Sequence, residues 1–135
     1  MAAPSKPQKK CNTVIPASWP KLTGGKGLHL MVPIEREISH DAARLYCRRL
    51  AQRLEATEPA RYTTSSAPAK RNKRIYIDYL RNGRGTTAVG AYSPRAREGF
   101  PVATPVTWAQ VEREIRPDAF SIARPPPVAP RRKGT

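Results

Sequence analysis

The feature that most restricts the fold is a glycine-rich loop, LTGGKG at residues 22–27, that runs directly into an alternating apolar segment. Alternation with period two is typical of a half-buried β-strand, so we predict a strand over residues 28–34. The loop is not a P-loop, because a P-loop follows a strand and opens a helix, whereas this loop precedes a predicted strand. In addition, Pro20 stands where the P-loop motif needs glycine, and Gly27 stands where it needs a hydroxyl. The predicted strand carries Leu28, Leu30, Val32 and Ile34 on one face and His29, Met31 and Pro33 on the other.

Two helices are predicted further along the chain. Ser39 is a suitable N-cap for a helix from His40 to Ala56, in which apolar residues recur at helical spacing. Thr107 and Gln110 have the T-x-x-Q form of a capping box, and Pro117 prevents that short helix from continuing past Arg116. The apolar stripe of the first helix is Ala43, Tyr46, Cys47, Leu50 and Leu54, and the second should close one edge of the core with Trp108, Val111 and Ile115.

A second pair of strands is predicted around the stretch RIYIDYLRNGRGTTAVGAY. Asn82-Gly83 is a strong turn signal, so residues 86–92 should return as an antiparallel strand. If both predicted strand regions belong to one sheet and the first helix covers their aliphatic faces, His29 and Asp78 emerge on the same polar face. Lys26, Arg81 and Arg95 would flank that face.

The charge of the chain is extreme for its size. Its formal net charge is +15, with a pI near 10.8, which favours polyanionic partners, nucleic acid above all. Between Arg61 and Arg97 the only acid is Asp78. That carboxylate either neutralises its cationic neighbours in an ion-pair network or holds Mg²⁺ or Mn²⁺ while they hold phosphates. The basic residues of this interval include Arg61, Lys70, Arg71, Lys73, Arg74, Arg84 and Arg97, which we predict to contact nucleic acid.

The two cysteines, Cys11 and Cys47, show neither metal-ligand spacing nor a disulfide framework. No signal peptide or membrane-spanning run is evident, so we expect a soluble, reduced, cytoplasmic protein associated with the nucleoid. Residues 1–16 and the proline- and arginine-rich residues 121–135 are predicted to be disordered.

Three stretches, WPKLTGGKGLHLMVPI, KRIYIDYLRNGRGTTAVGAYSPRAR and TPVTWAQVEREIRPDAF, resemble in order and spacing the polymerase domain of bacterial DNA ligase D, a member of the archaeo-eukaryotic primase superfamily. The resemblance covers residues 17–120. It implies that the glycine loop binds the triphosphate of a nucleotide and that Asp78 is a catalytic, metal-binding carboxylate. By the same resemblance the nucleotide-binding residues are Thr23, Lys26, His29, Arg81 and Arg95, with threonine replacing the usual serine.

The resemblance also implies an α+β fold: part of a primase-polymerase core, with a mixed or antiparallel sheet, one covering helix and a short C-terminal helix. The family's Asp-x-Asp metal motif precedes the glycine loop, but the residues before that loop contain no acid here. We therefore expect the C-terminal half of the domain, with a role in double-strand-break repair by non-homologous end joining and an incomplete site for Mg²⁺ or Mn²⁺. Expected partners are DNA, weakly bound nucleoside triphosphate, and Ku protein or a complementary half of the domain.

Two other interpretations stay open on the sequence alone. One is a non-enzymatic, basic nucleic-acid-binding module that uses the same polar face. The other is a ribosomal or other structural RNA-binding protein, for which the charge alone would suffice.

Overall fold

The computed structural model describes residues 18–127, so the predicted N-terminal segment 1–16 and residues 128–135 of the predicted tail lie outside the described range. Within that range the chain divides into two compact units. The first unit comprises residues 18–33 and 89–127, and the second comprises residues 34–88. The strands are β1 (Trp19–Leu22), β2 (Leu28–Met31), β3 (Tyr62–Thr63), β4 (Ile75–Tyr76) and β5 (Thr104–Pro105), and the α-helices are α1 (His40–Thr57) and α2 (Trp108–Glu112).

The first unit is built on an antiparallel sheet with the strand order β2-β1-β5. Strands β1 and β2 pair in a register that places Lys21 opposite His29 and Leu22 opposite Leu28. On the core side of the sheet, Leu22 is buried with Val106 and Val111. The partly buried side chains packed against this cluster are Leu28, Trp108, Ile115 and Phe120.

The capping box predicted at helix α2 is confirmed. The Thr107 hydroxyl accepts a hydrogen bond from the Gln110 backbone N–H over 3.1 Å, and the Gln110 side chain accepts one from the Thr107 backbone N–H over 2.8 Å. The predicted core contribution of Trp108, Val111 and Ile115 is also confirmed. The helix ends at Glu112, earlier than Pro117 alone would require, because Glu114 takes a left-handed φ of 58°.

A second antiparallel segment of the first unit brings residues 92–95 alongside residues 101–103. Pro94 bridges Val102, and the Arg95 backbone N–H donates to the Pro101 carbonyl over 2.8 Å. At the beginning of the predicted tail, Ser121 forms a bridge with Pro101 and is buried. The pairing of residues 92–95 with residues 101–103 fixes the position of the Arg95 backbone.

The second unit contains helix α1 at almost the predicted bounds. The Ser39 hydroxyl accepts a hydrogen bond from the Ala42 backbone N–H over 3.1 Å, which confirms the predicted N-cap. The helix packs against β3 and a 3-10 turn at Leu80–Asn82. Ala51 is its buried residue, whereas Tyr46, assigned to the apolar stripe from its spacing, is 55% exposed. Cys47 is a free, half-buried thiol whose pKa is raised by desolvation.

The mixed α+β fold class is confirmed, but two predictions about the strands are wrong. Strand β2 belongs to the antiparallel sheet of the first unit, whereas β4 pairs in parallel with β3 in a separate two-stranded sheet. The premise that one sheet presents both His29 and Asp78 therefore fails. Strand β2 also ends at Met31, so Val32 and Ile34 lie beyond it and are exposed.

The predicted hairpin at Asn82-Gly83 is also absent from the described chain, and residues 86–92 form no strand. A two-residue turn of the type favoured by Asn-Gly needs positive φ at both positions. Gly83 instead has a φ of −73°, and its backbone N–H donates to the Leu80 carbonyl over 3.1 Å to close the 3-10 turn. The Thr86 hydroxyl lies 2.7 Å from the Arg81 carbonyl and 2.6 Å from the Gly83 carbonyl and shares its one proton between them, which holds the chain in this turn. No helix among residues 18–127 is long and apolar enough to cross a membrane.

Candidate functional site

The glycine loop is the tip of the hairpin that joins β1 to β2. The Thr23 backbone N–H donates to the Gly27 carbonyl over 3.2 Å, which closes the loop. The Thr23 hydroxyl donates to the same carbonyl over 3.0 Å and accepts a hydrogen bond from the Gly25 backbone N–H over 3.3 Å. Thr23 is itself buried. Its hydroxyl is therefore committed to holding the shape of the loop.

Arg95 is packed against this loop. Its Nη1 donates to the Thr23 carbonyl over 2.8 Å. Gly24 has a φ of +70°, and a Cβ placed on it would lie 2.8 Å from Cγ of Arg95. Glycine is required at position 24 for both reasons, the left-handed backbone and the close approach of the arginine.

Arg97 lies over the next residue of the loop. A Cβ placed on Gly25 would be 3.2 Å from Cζ of the Arg97 guanidinium. The Arg97 side chain is exposed, and it donates no hydrogen bond within residues 18–127. The sequence had placed Arg97 in the nucleic-acid-binding cluster, whereas the structure places it at the glycine loop.

Lys26 and His29 complete the predicted set in the first unit. Lys26 is exposed at the tip of the loop, and His29 is half-buried on β2. Of the residues predicted to bind nucleotide, the first unit thus brings together Thr23, Lys26, His29 and Arg95, while Arg81 belongs to the second unit.

Lys21 is a residue that the sequence interpretation missed. It is only 6% exposed, and its Nζ donates to the Val89 carbonyl. Burial lowers the pKa of Lys21 below its ordinary value, because desolvation disfavours the ammonium. Lys21 lies opposite His29 in the pairing of β1 with β2. The sequence did not predict β1, because a strand of four residues that contains Pro20 gives little periodic signal.

Asp78 lies just after β4 in the second unit and accepts three hydrogen bonds. Its Oδ1 accepts from the Leu80 backbone N–H over 3.0 Å and from the Tyr76 hydroxyl over 3.4 Å. Its Oδ2 accepts from Nε of Arg81 over 3.3 Å, and Arg81 also donates from Nη1 to the Thr87 carbonyl over 3.2 Å. The carboxylate is therefore an ion-pair partner of Arg81 and an acceptor for the first backbone N–H of the 3-10 turn.

The residues around Asp78 do not fit a catalytic metal. Mg²⁺ favours near-octahedral oxygen coordination, and catalysis with two metals needs several carboxylates. Within residues 18–127, no group of three or more His, Cys, Asp or Glu side chains is placed to hold a metal ion. Asp78, already paired with an arginine, does not form such a site in this part of the chain.

A pocket of about 330 Å³ opens beside Asp78 in the second unit. The Arg71 guanidinium lies 4.6 Å from the centre of the Tyr76 ring, and its Nη2 donates to the Ser66 carbonyl over 3.0 Å. Burial, and then the neighbouring Asp78, raise the pKa of the Tyr76 hydroxyl. The pocket is lined by Ser66, Arg71, Tyr76, Asp78, Leu80, Arg81 and Thr86.

Apart from Arg97 at the glycine loop and Arg71 at the pocket, the predicted nucleic-acid-binding residues fall into two groups. Arg74 donates to the carbonyls of Lys70, Arg71 and Pro59, and Arg61 pairs with Glu58 over 3.5 Å, so these side chains brace the second unit. By contrast, Lys70, Lys73 and Arg84 are exposed to solvent.

A profile of the family described as "LigD, primase-polymerase domain" matches residues 8–133. The chain belongs to this family. The match spans nearly the whole sequence, and it extends beyond residues 17–120, which the predicted resemblance covers. The predicted membership is therefore confirmed.

Relatives from three bacteria support this membership in the LigD family. The chain is 46% identical over 86 residues to the "Multifunctional non-homologous end joining protein LigD" of Pseudomonas aeruginosa, covering 64% of this chain and 10% of that protein. It is 35% identical over 95 residues to the LigD of Mycobacterium tuberculosis, covering 70% of this chain and 12% of that protein. It is 32% identical over 106 residues to the bifunctional LigD of Bacillus subtilis, covering 78% of this chain and 17% of that protein.

A solved structure agrees with the sequence comparison. The polymerase domain of Mycobacterium tuberculosis ligase D, determined in complex with DNA, superposes with a TM-score of 0.77 at 28% identity. The superposition covers 83% of this chain and 40% of that chain. The chain therefore spans less than half of that LigD polymerase domain and a small fraction of each full-length relative.

Proposed function

We propose that this chain is a nucleotide- and DNA-binding part of a LigD primase-polymerase domain that acts in non-homologous end joining. The glycine hairpin of the first unit is the observation that carries this proposal. Exposed Lys26 and the Arg97 guanidinium stand at one loop whose shape is held by hydrogen bonds within the unit. Lysine and arginine beside glycine backbone form a suitable binding site for a triphosphate.

We infer that the second unit serves the nucleic acid. Lys70, Lys73 and Arg84 are exposed, and the formal net charge of the chain is +15. Such cations bind phosphates by releasing condensed counterions, without requiring a particular base sequence. The related polymerase domain of Mycobacterium tuberculosis was determined in complex with DNA, which supports DNA as the polyanion.

We further propose that these residues do not transfer nucleotides on their own. The aspartates of the sequence are Asp41, Asp78 and Asp118, so no Asp-x-Asp pair is present. Asp118 is paired with Arg116 over 2.9 Å, and Asp78 is paired with Arg81. The Mg²⁺ or Mn²⁺ expected for the family therefore needs carboxylates that this chain does not supply. A complementary half of the domain or another partner would provide them. Cytoplasmic action at the nucleoid, alongside Ku protein, belongs to the same proposal.

The Asp78–Arg81 ion pair also favours a second candidate function, that of a non-enzymatic, basic nucleic-acid-binding protein. In that case the carboxylate serves the local fold and the glycine hairpin binds no nucleotide. The two functions differ in whether a nucleoside triphosphate binds more tightly than its unphosphorylated nucleoside.

The test is a fluorescence titration of the purified chain with a labelled nucleoside triphosphate and with the matching nucleoside. We expect the triphosphate alone to bind. Lys26→Ala should weaken that binding about tenfold, since a charge-assisted hydrogen bond is worth about 1.5 kcal/mol or more. Arg113→Ala, which removes an exposed charge elsewhere in the first unit, is the control. Equal affinity for the nucleoside, or an unchanged affinity in the Lys26 variant, contradicts nucleotide binding at the hairpin.

A further inference from the structure

We propose that the outer edge of strand β2 is the pairing site for a β-strand from the remainder of the primase-polymerase domain. The inference rests on the proposed complementary half of the domain, and it names the surface to which that half binds. It concerns a contact between protein segments and not the binding of nucleotide or DNA.

The backbone of β2 directs hydrogen-bonding groups away from β1 at Leu28 and Leu30. The Thr23 backbone N–H donates to the Gly27 carbonyl, so residues 23 and 27 form a hydrogen-bonded pair at the end of the hairpin. Along an antiparallel ladder, such pairs alternate with pairs that form no hydrogen bonds across the strands. In the observed register, the pairs that contain Leu28 and Leu30 are therefore the ones without hydrogen bonds. Pro20, which has no N–H to donate, lies opposite Leu30 and fits this assignment.

These outward groups have no hydrogen-bond partner within residues 18–127. Strand β2 lies at one end of the sheet order β2-β1-β5, so its other side faces no strand in this part of the chain. No further backbone hydrogen bond among these residues involves Leu28 or Leu30. A row of unpaired N–H and C=O groups is a template on which another strand can pair.

The apolar core of the first unit also continues past the edge of β2. Leu28 packs against the buried core cluster. Leu30, on the same face of the strand, is 39% exposed, and Val32 beyond it is 38% exposed. On the other face, Trp19 lies opposite Met31, and both side chains are exposed. A strand added beside β2 would satisfy the outward backbone groups and cover Leu30 in one step.

The size of the related polymerase domain indicates what occupies this edge. The superposition on the Mycobacterium tuberculosis domain covers 83% of this chain but 40% of that one, so the larger part of the solved domain lies outside the match. The docking strand comes from that larger part. Its residue opposite Leu30 is apolar, because directly opposed residues of paired strands lie on the same face. A second copy of this chain and the residues before position 18 are the competing occupants.

Leu30→Pro tests the backbone pairing. Proline removes the N–H that points outward and keeps the hydrogen bonds to β1, and edge strands accept proline where the N–H faces solvent. His29 is already extended in β2, as the residue before a proline needs to be. Leu30→Ala, which shortens the side chain but keeps the N–H, is the matched control. Leu30→Lys blocks the edge with a charge and replaces the proline variant if proline unfolds the hairpin.

The first measurement is amide hydrogen exchange of the chain alone, at concentrations where sedimentation shows a monomer. We expect the amides of Leu28 and Leu30 to exchange about tenfold or more faster than those of His29 and Met31, which bond to β1. Slow exchange of Leu28 and Leu30 in the monomer would assign the edge to another segment of the same chain. Slow exchange that appears only when the chain dimerises would assign it to a second copy. Either result overturns the proposal.

The second measurement is co-purification of the tagged chain with the part of the Mycobacterium tuberculosis polymerase domain that lies outside the superposition, with both expressed in the same cells. We expect a one-to-one complex in which the Leu30 amide becomes protected. Leu30→Pro should weaken the complex about tenfold or more relative to Leu30→Ala. Absence of a complex, or equal binding by the two variants, overturns the proposal. Triphosphate titration of the chain alone does not involve this edge, so the proposed function and the strand pairing can fail independently.

Discussion

Arg81 donates from Nε to Oδ2 of Asp78 over 3.3 Å, so the carboxylate that the family resemblance assigns to a metal is held by a neighbouring guanidinium. The other carboxylate oxygen caps the backbone N–H of Leu80. Both interactions join Asp78 to the 3-10 turn that follows it. They give this acid, which is surrounded in the sequence by basic residues, a structural role.

Asp78→Ala should destabilise the second unit more than Asp78→Asn. Alanine removes every acceptor, whereas asparagine keeps an oxygen for the Leu80 N–H and loses chiefly the ion pair. We expect about 1 kcal/mol or more for alanine and less than that for asparagine, since the ion pair is partly exposed to solvent. Chemical denaturation followed by the circular dichroism of helix α1 measures both. Equal losses for the two variants would show that the ion pair, and not the hydrogen bond to the Leu80 N–H, dominates.

The Gly24→Ala substitution should be more destabilising than Gly99→Ala. Both glycines have positive φ, +70° and +77°, but a Cβ on Gly99 would meet nothing within 4 Å, whereas one on Gly24 would meet Arg95. Gly99→Ala should cost about 1–2 kcal/mol from the left-handed backbone alone. Gly24→Ala should cost clearly more. Equal losses in thermal or chemical unfolding would mean that Arg95 does not press on the loop.

Lys21 should give the first unit a distinctive alkaline pH dependence. Because burial lowers its folded-state pKa below 10.5, the unfolded chain binds more protons in the interval between the two values. Stability contributed by this group therefore rises with pH in that interval. As the pH rises towards 10.5, the unaltered chain should gain stability relative to Lys21→Met. Parallel pH profiles for the two proteins would contradict the burial of a charged lysine.

DNA affinity should depend on the exposed cations and not on those that brace the fold. Replacing Lys70, Lys73 and Arg84 with alanine should reduce the dependence of log affinity on log salt by about 0.9 for each lost phosphate contact. Arg74→Ala should leave that slope unchanged, because its guanidinium donates to backbone carbonyls. Titrations of a labelled duplex at several salt concentrations measure the slope. An unchanged slope in the triple variant would place DNA elsewhere on the protein.

Local signals predicted the helices well. The Ser39 cap and the Thr107–Gln110 capping box are each completed by atoms within a few residues, so the sequence contains all the information they need. The prediction that the glycine loop is not a P-loop also rested on local sequence, and it is confirmed because the loop lies between two strands.

Non-local pairing accounts for what the sequence could not predict. The hydrophobic pattern around β4 does not indicate that this strand pairs with β3 and not with β2. The Asn82-Gly83 signal failed because hydrogen bonds from Thr86 favour a 3-10 turn there. The tie between Arg95 and Thr23 joins residues 72 positions apart, so only the folded chain reveals it.

Primer extension tests the central claim most directly, namely that this chain binds nucleotide and DNA without catalysing transfer. The assay supplies Mn²⁺, a primed template and each nucleoside triphosphate, with Asp78→Ala beside the unaltered chain. We expect no extension by either protein at concentrations where fluorescence shows the triphosphate to be bound, because loss of positioned charged groups commonly costs about a hundred- to a thousand-fold each. Robust extension by the unaltered chain that Asp78→Ala abolishes would contradict the account and show that Asp78 leaves Arg81 to serve a metal.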